Sequence, residues 1–229
     1  AVFEDLAWLG LDWETPVRRQ SDHRAEYDRA LETLREQGLL YRCFRTRKER
    51  LALAGGAPHA DDPVDPPAFT GGPHDPHEEA RRLEAGEAFA WRLSLDRARA
   101  RLGDLSRLGW VEEGVDPGVH EARPEALGDM VMGRKDIGAG YVIASVIDDA
   151  AQGITHVIRG EDLIPMTSIQ RVLQALLDLP TPIYRHHPLL LDDQGKRFAK
   201  RDGAVTLAQI RAEDTSPAEL RARLGFPDG

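Results

Sequence analysis

The chain has 229 residues, 41% of them hydrophobic, and a formal net charge of −9. That length suits one large domain, or one domain with an insertion, around a real core. The acidity excludes a protein that coats nucleic acid through bulk positive charge, while leaving room for a local basic path to RNA. The single cysteine, Cys43, excludes an internal disulfide and points to an intracellular, cytoplasmic protein. No stretch approaches the roughly 18 apolar residues of a membrane span, and no signal peptide is visible.

The sequence opens as if in mid-helix, with Val2, Leu6 and Leu9 at helical spacing and Gly10 as a stop. Ser21 precedes a second helix, with Tyr27, Ala30, Leu31 and Leu34 on one face and Gly38 closing it. Residues 54–79 are rich in Gly, Pro and Asp and read as loop. Phe89, Trp91 and Leu93 alternate with other residues, the pattern of a half-buried strand. Two short apolar runs follow. Tyr141–Ile147 leads into Asp148-Asp149, and Ile154–Ile158 leads into Arg159-Gly160-Glu161-Asp162. Both read as buried parallel strands. Ile169, Val172, Leu173, Leu176 and Leu177 then form a helical stripe, with Thr167 or Ser168 as N-cap. Strand, polar turn and helix in that order make an α/β unit, whose ligands bind outside the carboxyl ends of the strands, near Asp148 and Arg159. Ser216-Pro217-Ala218-Glu219 opens the last helix with a capping box and Pro at N1.

Two constellations carry chemistry. Leu189-Leu190-Leu191 leads into the turn Asp192-Asp193-Gln194-Gly195, and then into the cations Lys196, Arg197, Lys200 and Arg201. A cationic loop beside a strand end suits the neutralising of a bound triphosphate; the bland alternative is a solvated basic turn. Tyr141 and Arg159 form the second. A fixed Arg binds a carboxylate bidentately and a Tyr hydroxyl adds a hydrogen bond. The alternative is an ordinary ion pair from Arg159 to Asp148, Asp149, Glu161 or Asp162.

Arg197-Phe198-Ala199-Lys200-Arg201 resembles the KMSKS loop of class I aminoacyl-tRNA synthetases in its glutamyl form, K-[LM]-S-K-R, with Arg in place of the first Lys and Ala in place of the Ser. Gly133–Tyr141 and Val146–Leu163 are similar to the core of the glutamyl-tRNA synthetase family. Asp5–Trp13, Gln20-Ser21-Asp22 and Gly38–Tyr41 fit it as well, so the resemblance runs from residue 1 to about 212. It implies an α/β fold: a class I synthetase Rossmann-type catalytic domain with an inserted smaller domain. The expected divisions are 1–40 (part of the catalytic domain), 41–126 (a tRNA-side, zinc-like insertion), 127–194 (its second half) and 195–229 (the KMSKS-like loop and C-terminal helices).

The short tail after the loop leaves no room for an anticodon-binding domain, which is the layout of the family's queuosine-modifying branch. That branch activates glutamate with ATP and attaches it to the queuosine base of tRNA(Asp). By resemblance, Tyr141 and Arg159 hold glutamate, Lys200 and Arg197 stabilise the ATP phosphates, and His186 and the Leu189–Leu191 strand, Leu190 included, border the adenine. Mg²⁺ accompanies ATP without a protein ligand that can be named, and a monomer is expected. Two rival readings remain: a fragment of an ordinary glutamyl-tRNA synthetase, and a non-catalytic tRNA-binding paralogue.

Two departures from the family stand out. Its HIGH-type motif and first strand precede the segment matched by residues 1–10 and have no counterpart in this sequence. Its zinc ligands, a Cys-x-Cys pair, a Tyr and a later Cys, fall on Cys43, Arg45, Phe69 and the vicinity of Pro73. One thiolate does not make a structural zinc site, so the zinc site is expected to be lost. A different site using His59, His74 and His77 is the lesser alternative. The basic run Arg42, Arg45, Arg47, Lys48 and Arg50 reads either as a solvated face or as a tRNA-phosphate contact.

Overall fold

The structure, a computed structural model, describes residues 2–46, 49, 69–134, 138–191 and 205–226. The chain divides into two compact units, residues 20–189 and residues 1–19 with 190–229.

In the second of these units, helix α1 spans Val2–Trp8. Its carboxylates Asp5 and Glu4 pair with Arg211 at 3.1 and 3.7 Å, and the rings of Phe3 and Trp13 lie 5.3 Å apart. The expected capping box at Ser216 is present on the last helix, Pro217–Arg223. Leu190 and Leu191 are half exposed, at 50% and 53%.

Residues 20–189 hold all eight strands of the described residues. Helix α2, Arg24–Glu36, buries Tyr27, Ala30 and Leu34 as its apolar spacing requires. It ends on Gly38 at φ +70°, a conformation that costs glycine nothing. Strand β1, Leu40–Cys43, then pairs antiparallel with β2, Ala90–Leu93. Between them lies helix α3, Pro76–Glu84, capped by Asp75, so the helix begins inside the stretch expected to be loop. Helix α4, Leu95–Leu102, is capped by Ser94. Strands β3, Trp110–Glu112, and β4, Gly118–His120, form a hairpin. Strands β5, Val131–Arg134, and β6, Gly138–Ala139, complete a first sheet of order β1-β2-β5-β6.

Tyr141–Ala151 is a helix, α5, not the strand that its run of apolar residues suggests. Gly140 takes an extended N-cap conformation and starts it. The helix lies between α2 and the next long helix and buries Val142, Ile143, Ala144, Val146 and Asp148. A helix apolar almost all round is a core helix, and periodicity alone does not tell it from a buried strand. Asp148 accordingly sits on a helix, not at a strand end.

Strand β7, His156–Gly160, is a parallel strand as expected but not a buried one: it lies at the sheet edge with a single partner strand, and Ile158 is 68% exposed. Helix α6, Ile164–Leu176, starts three residues before Thr167, so Thr167 and Ser168 are buried inside it and not capping residues. Pro165 at its start explains the early entry, because the first-turn N–H it lacks is an orphan in any helix. Strand β8, Ile183–His187, pairs parallel with β7, setting Arg159 opposite His186. It stops before Pro188, which has no N–H to give a ladder; the strand thus lies upstream of Leu189–Leu191. The second sheet has the order β4-β3-β8-β7, with β3 parallel to β8. Residues 110–120, expected in the insertion, therefore share a sheet with β7 and β8.

One apolar core joins α2, α4, α5, α6 and the first sheet. Leu34, Leu93, Met132, Ile143, Ile169, Val172 and Leu173 are fully buried in it, each side chain contributing roughly 1.5–3 kcal/mol by transfer from water. This core fixes α5 and α6 against the strands and so places Tyr141, Ser145, Thr167 and Gln170.

Candidate active site

Arg159 projects from the end of β7, the edge strand of the second sheet. Its Nε donates to Nε2 of His186 at 3.1 Å. Its Nη2 donates to Thr167 Oγ1 at 2.7 Å and to Gln170 Oε1 at 2.8 Å. Gln170 is held in turn, donating to Ser145 Oγ at 2.9 Å. The guanidinium carbon lies 5.1 Å from the centre of the Tyr184 ring, within cation–π range. Burial pulls its pKa below the ordinary arginine value, while Tyr184, Tyr141 and Asp149 act in the opposite sense. Arginine stays protonated throughout. Among the described residues Arg159 makes no ion pair, so the expected alternative of a strand-end salt bridge is not realised. Asp148 is engaged elsewhere, accepting from the Tyr27 hydroxyl at 2.6 Å and from Gln20 Nε2 at 3.0 Å.

Tyr141, the first residue of α5, is 56% exposed. Its phenol stands near enough to Arg159 to favour the charged guanidinium, so a helix start and a strand end bring the two expected residues into one neighbourhood, without a direct hydrogen bond between them. Tyr141 also lines a cleft of about 510 Å³ with Gln20, Ser21, Arg24, Tyr27 and Asp28. Asp149, next to Asp148, has its carboxyl pushed up by burial and by the Asp148 charge, with Arg159 opposing.

His186, expected at the adenine border, is buried beside Arg159. It is 1% exposed and stands behind Arg159. Its Nδ1 faces Glu112 Oε2 at 2.6 Å, and its backbone N–H donates to Glu112 Oε1 at 2.8 Å. Gly114 N–H donates to the same Oε1 at 2.8 Å. Burial raises the Glu112 carboxyl, but these bonds from His186 and Gly114 outweigh it and hold the group below its ordinary value. Leu190 is half exposed. Lys200 and Arg197 lie outside the described residues.

The residues at the family's zinc positions do not fit a metal. Cys43 is buried against Tyr41 and Phe69. Arg45, at the second Cys position, lies 5.7 Å from the Phe69 ring and donates to the Gly72 carbonyl at 3.1 Å. A guanidinium there repels a cation instead of binding it. Among the described residues no group of three or more His, Cys, Asp or Glu could hold a metal ion. His74 packs edge-on against Phe44, and His59 lies outside the described residues. Of the basic run, Arg42 pairs with Glu79 and lies 4.7 Å from the Trp91 ring; Arg47, Lys48 and Arg50 are not among the described residues.

The family described as "tRNA synthetases class I (E and Q), catalytic domain" matches residues 1–227. The chain belongs to this family. It is 43% identical to the glutamyl-Q tRNA(Asp) synthetase of Rhodobacter capsulatus, over 98% of this chain and 81% of that protein. It is 40% identical to the glutamyl-Q tRNA(Asp) synthetase of Nocardia farcinica, covering 96% of this chain and 66% of that one. It is 36% identical to the glutamate–tRNA ligase of Synechococcus sp. (strain WH7803), where it spans 45% of the relative's length. The crystal structure of the glutamate-tRNA synthetase from Elizabethkingia anophelis matches 88% of this chain and 42% of that one, with a TM-score of 0.62 and 24% identity; that likeness shows the fold. The architecture is thus the α/β class I synthetase catalytic domain, in a family of ATP-using ligases. Among the described residues no helix is long and apolar enough to cross a membrane.

The sequence pointed to Tyr141 and Arg159 but not to Glu112, Ser145, Thr167 or Gln170. None of these four belongs to a local motif. Glu112 sits 74 residues from its partner, and only the β3–β8 pairing brings the two together.

Proposed function

We propose that this chain activates glutamate with ATP and transfers the glutamyl group to the queuosine base of tRNA(Asp). The observation that carries the reading is the guanidinium of Arg159, held by uncharged acceptors with no ion-pair partner among the described residues, with the exposed Tyr141 close enough to favour its charge. A positive charge oriented but not neutralised is what a substrate carboxylate requires. In the first step a glutamate carboxylate oxygen attacks the α-phosphorus of ATP, and pyrophosphate leaves with the electrons of the broken P–O bond. In the second the acceptor attacks the activated carbonyl, AMP departs and the acceptor loses a proton. Such steps depend on positioning and on charge stabilisation more than on a protein base. Lys200 and Arg197 would meet the phosphates, and Mg²⁺ would come with ATP. Residues 41–126 would form the tRNA-side insertion. The 43% identity with a glutamyl-Q tRNA(Asp) synthetase, over 81% of its length, supports the queuosine branch. The reading implies a cytoplasmic monomer.

The test is glutamate-dependent ATP–pyrophosphate exchange by the full-length protein with no tRNA present. Exchange under those conditions supports the proposal. Exchange that needs tRNA(Glu) points to the ordinary ligase, to which the chain is also similar. Binding of tRNA without any exchange points to a non-catalytic paralogue.

A further inference from the structure

Behind the glutamate-binding face lies a buried chain of hydrogen bonds, from the Glu112 carboxylate through the His186 ring to Arg159. Both members of the first pair are almost completely enclosed; their side chains are 1% and 0% exposed. The arrangement fixes the tautomer of the ring. A carboxylate has no proton to give, so Nδ1 carries the hydrogen and donates it to Glu112. Nε2 then has only its lone pair, which accepts the Nε–H of Arg159. If the proton moved to Nε2, two donors would face each other across 3.1 Å.

We propose that Glu112 and His186 are positioning residues for substrate recognition, with Glu112 holding His186 in the one tautomer that orients Arg159. The neighbouring atoms support this. Glu112 Oε1 takes two backbone N–H groups, from Gly114 and His186, leaving Oε2 for the ring. Tyr184 stacks on His186 with planes 4° apart and centroids 6.0 Å apart, so the ring is not free to flip. Tyr184 itself accepts from Gln174 Nε2 at 3.0 Å. Every partner of Arg159 is thus a neutral acceptor whose own position is fixed from behind, and the counter-charge of Glu112 is kept one ring away from the guanidinium.

Glu112→Gln separates this role from simple packing, because it keeps size and shape. The amide oxygen still takes the two backbone N–H groups, which leaves the amide NH₂ facing Nδ1. The ring must then accept at Nδ1 and carry its proton at Nε2, against Arg159. The kinetic half of the inference rests on the reading of Arg159 as a carboxylate ligand; the tautomer half does not. In ¹⁵N-histidine spectra of the full-length protein, wild-type His186 is expected as the Nδ1–H form, and Glu112→Gln as the Nε2–H form with loss of the protected Arg159 Nε–H signal. In exchange assays the same variant is expected to raise the KM for glutamate about ten- to a hundredfold, as small misplacements of a binding group do, with the KM for ATP within about twofold. His186→Gln, whose amide oxygen can still accept from Arg159, should hold the glutamate KM nearer wild type than His186→Leu does; that comparison decides if Glu112→Gln folds poorly. An Nδ1–H ring with an unchanged KM in Glu112→Gln, or equal glutamate KM values in the two His186 variants, overturns the proposal. If the wild type shows no glutamate-dependent exchange, the functional reading fails on its own, and the tautomer and Arg159 signals alone decide for or against the positioning pair.

Discussion

Gly114 lies where the β3 end passes the β8 backbone. A Cβ added there would stand 1.9 Å from the His186 carbonyl oxygen, 2.5 Å from its nitrogen and 2.7 Å from its carbonyl carbon, where ordinary contact begins at 3.4 Å. The obstacle is backbone, so no rotamer change relieves it. Gly114→Ala must therefore part the two segments by about 1.5 Å (1.9 to 3.4). Three hydrogen bonds cross that gap: Glu113 N–H to Tyr184 O at 2.8 Å, Val115 N–H to His186 O at 2.9 Å, and His186 N–H to Glu112 Oε1 at 2.8 Å. Lengthened by that amount they no longer qualify as hydrogen bonds. At about 1 kcal/mol each they account for roughly 3 kcal/mol. Overpacking adds about 1–3 kcal/mol, and the stiffer unfolded chain returns about 0.4–1 kcal/mol. The net loss is on the order of 3–6 kcal/mol. Urea unfolding followed by tryptophan fluorescence measures it, with Trp110 buried in the affected sheet at 4% exposure. A loss below about 1 kcal/mol would refute the reasoning, since it would mean that β3 and β8 part without disturbing the bonds that seat Glu112 and His186.

Arg159→Ala should raise the KM for glutamate roughly ten- to a hundredfold, the worth of a charged hydrogen bond or two, with little change for ATP; equal effects on both substrates in the exchange assay would count against carboxylate binding. Asp149→Asn should stabilise the protein at neutral pH. Burial, aided by the Asp148 charge and opposed by Arg159, raises the Asp149 carboxyl above its ordinary 3.8, so the folded chain holds that proton longer than the unfolded one. Its contribution is therefore fully present below that value and is lost as pH rises through the raised one. Thermal melts should show the variant gaining on wild type across that window and matching it in acid. A variant less stable than wild type at pH 7 would overturn this sign.

The parts of the fold that were legible in the sequence are those with local signals. The stripe of α2, the capping box at Ser216 and the β-branched run of β7 each announce themselves within a few residues. Tyr141–Ala151 misleads because both of its broad faces are covered, which erases the 3.6-residue period and leaves an apolar run of strand-like composition. Thr167 and Ser168 mislead in a related way. As hydroxyl residues before an apolar stripe they look like caps, yet Thr167 lies one turn inside α6, donating to the Leu163 carbonyl at 3.3 Å and accepting from Arg159. The hydroxyl serves the site, and its helical neighbours conceal that.

The site itself was legible only at its surface. Tyr141 and Arg159 stand out because a phenol and a guanidinium are the groups that meet a substrate. What suits that guanidinium to the proposed binding role, and not to one half of a salt bridge, lies in residues remote in sequence. The sequence offers four carboxylates near Arg159, namely Asp148, Asp149, Glu161 and Asp162. Pairing with any of them would have neutralised it and left a structural ion pair of small net worth. Instead Tyr27 and Gln20 occupy Asp148, and burial weakens Asp149 as an anion. The acceptors that touch Arg159 are an imidazole, a hydroxyl, a side-chain amide and the Leu163 carbonyl, none of them charged. Orientation has been separated from neutralisation, and the positive charge left over is what the proposed carboxylate ligand requires.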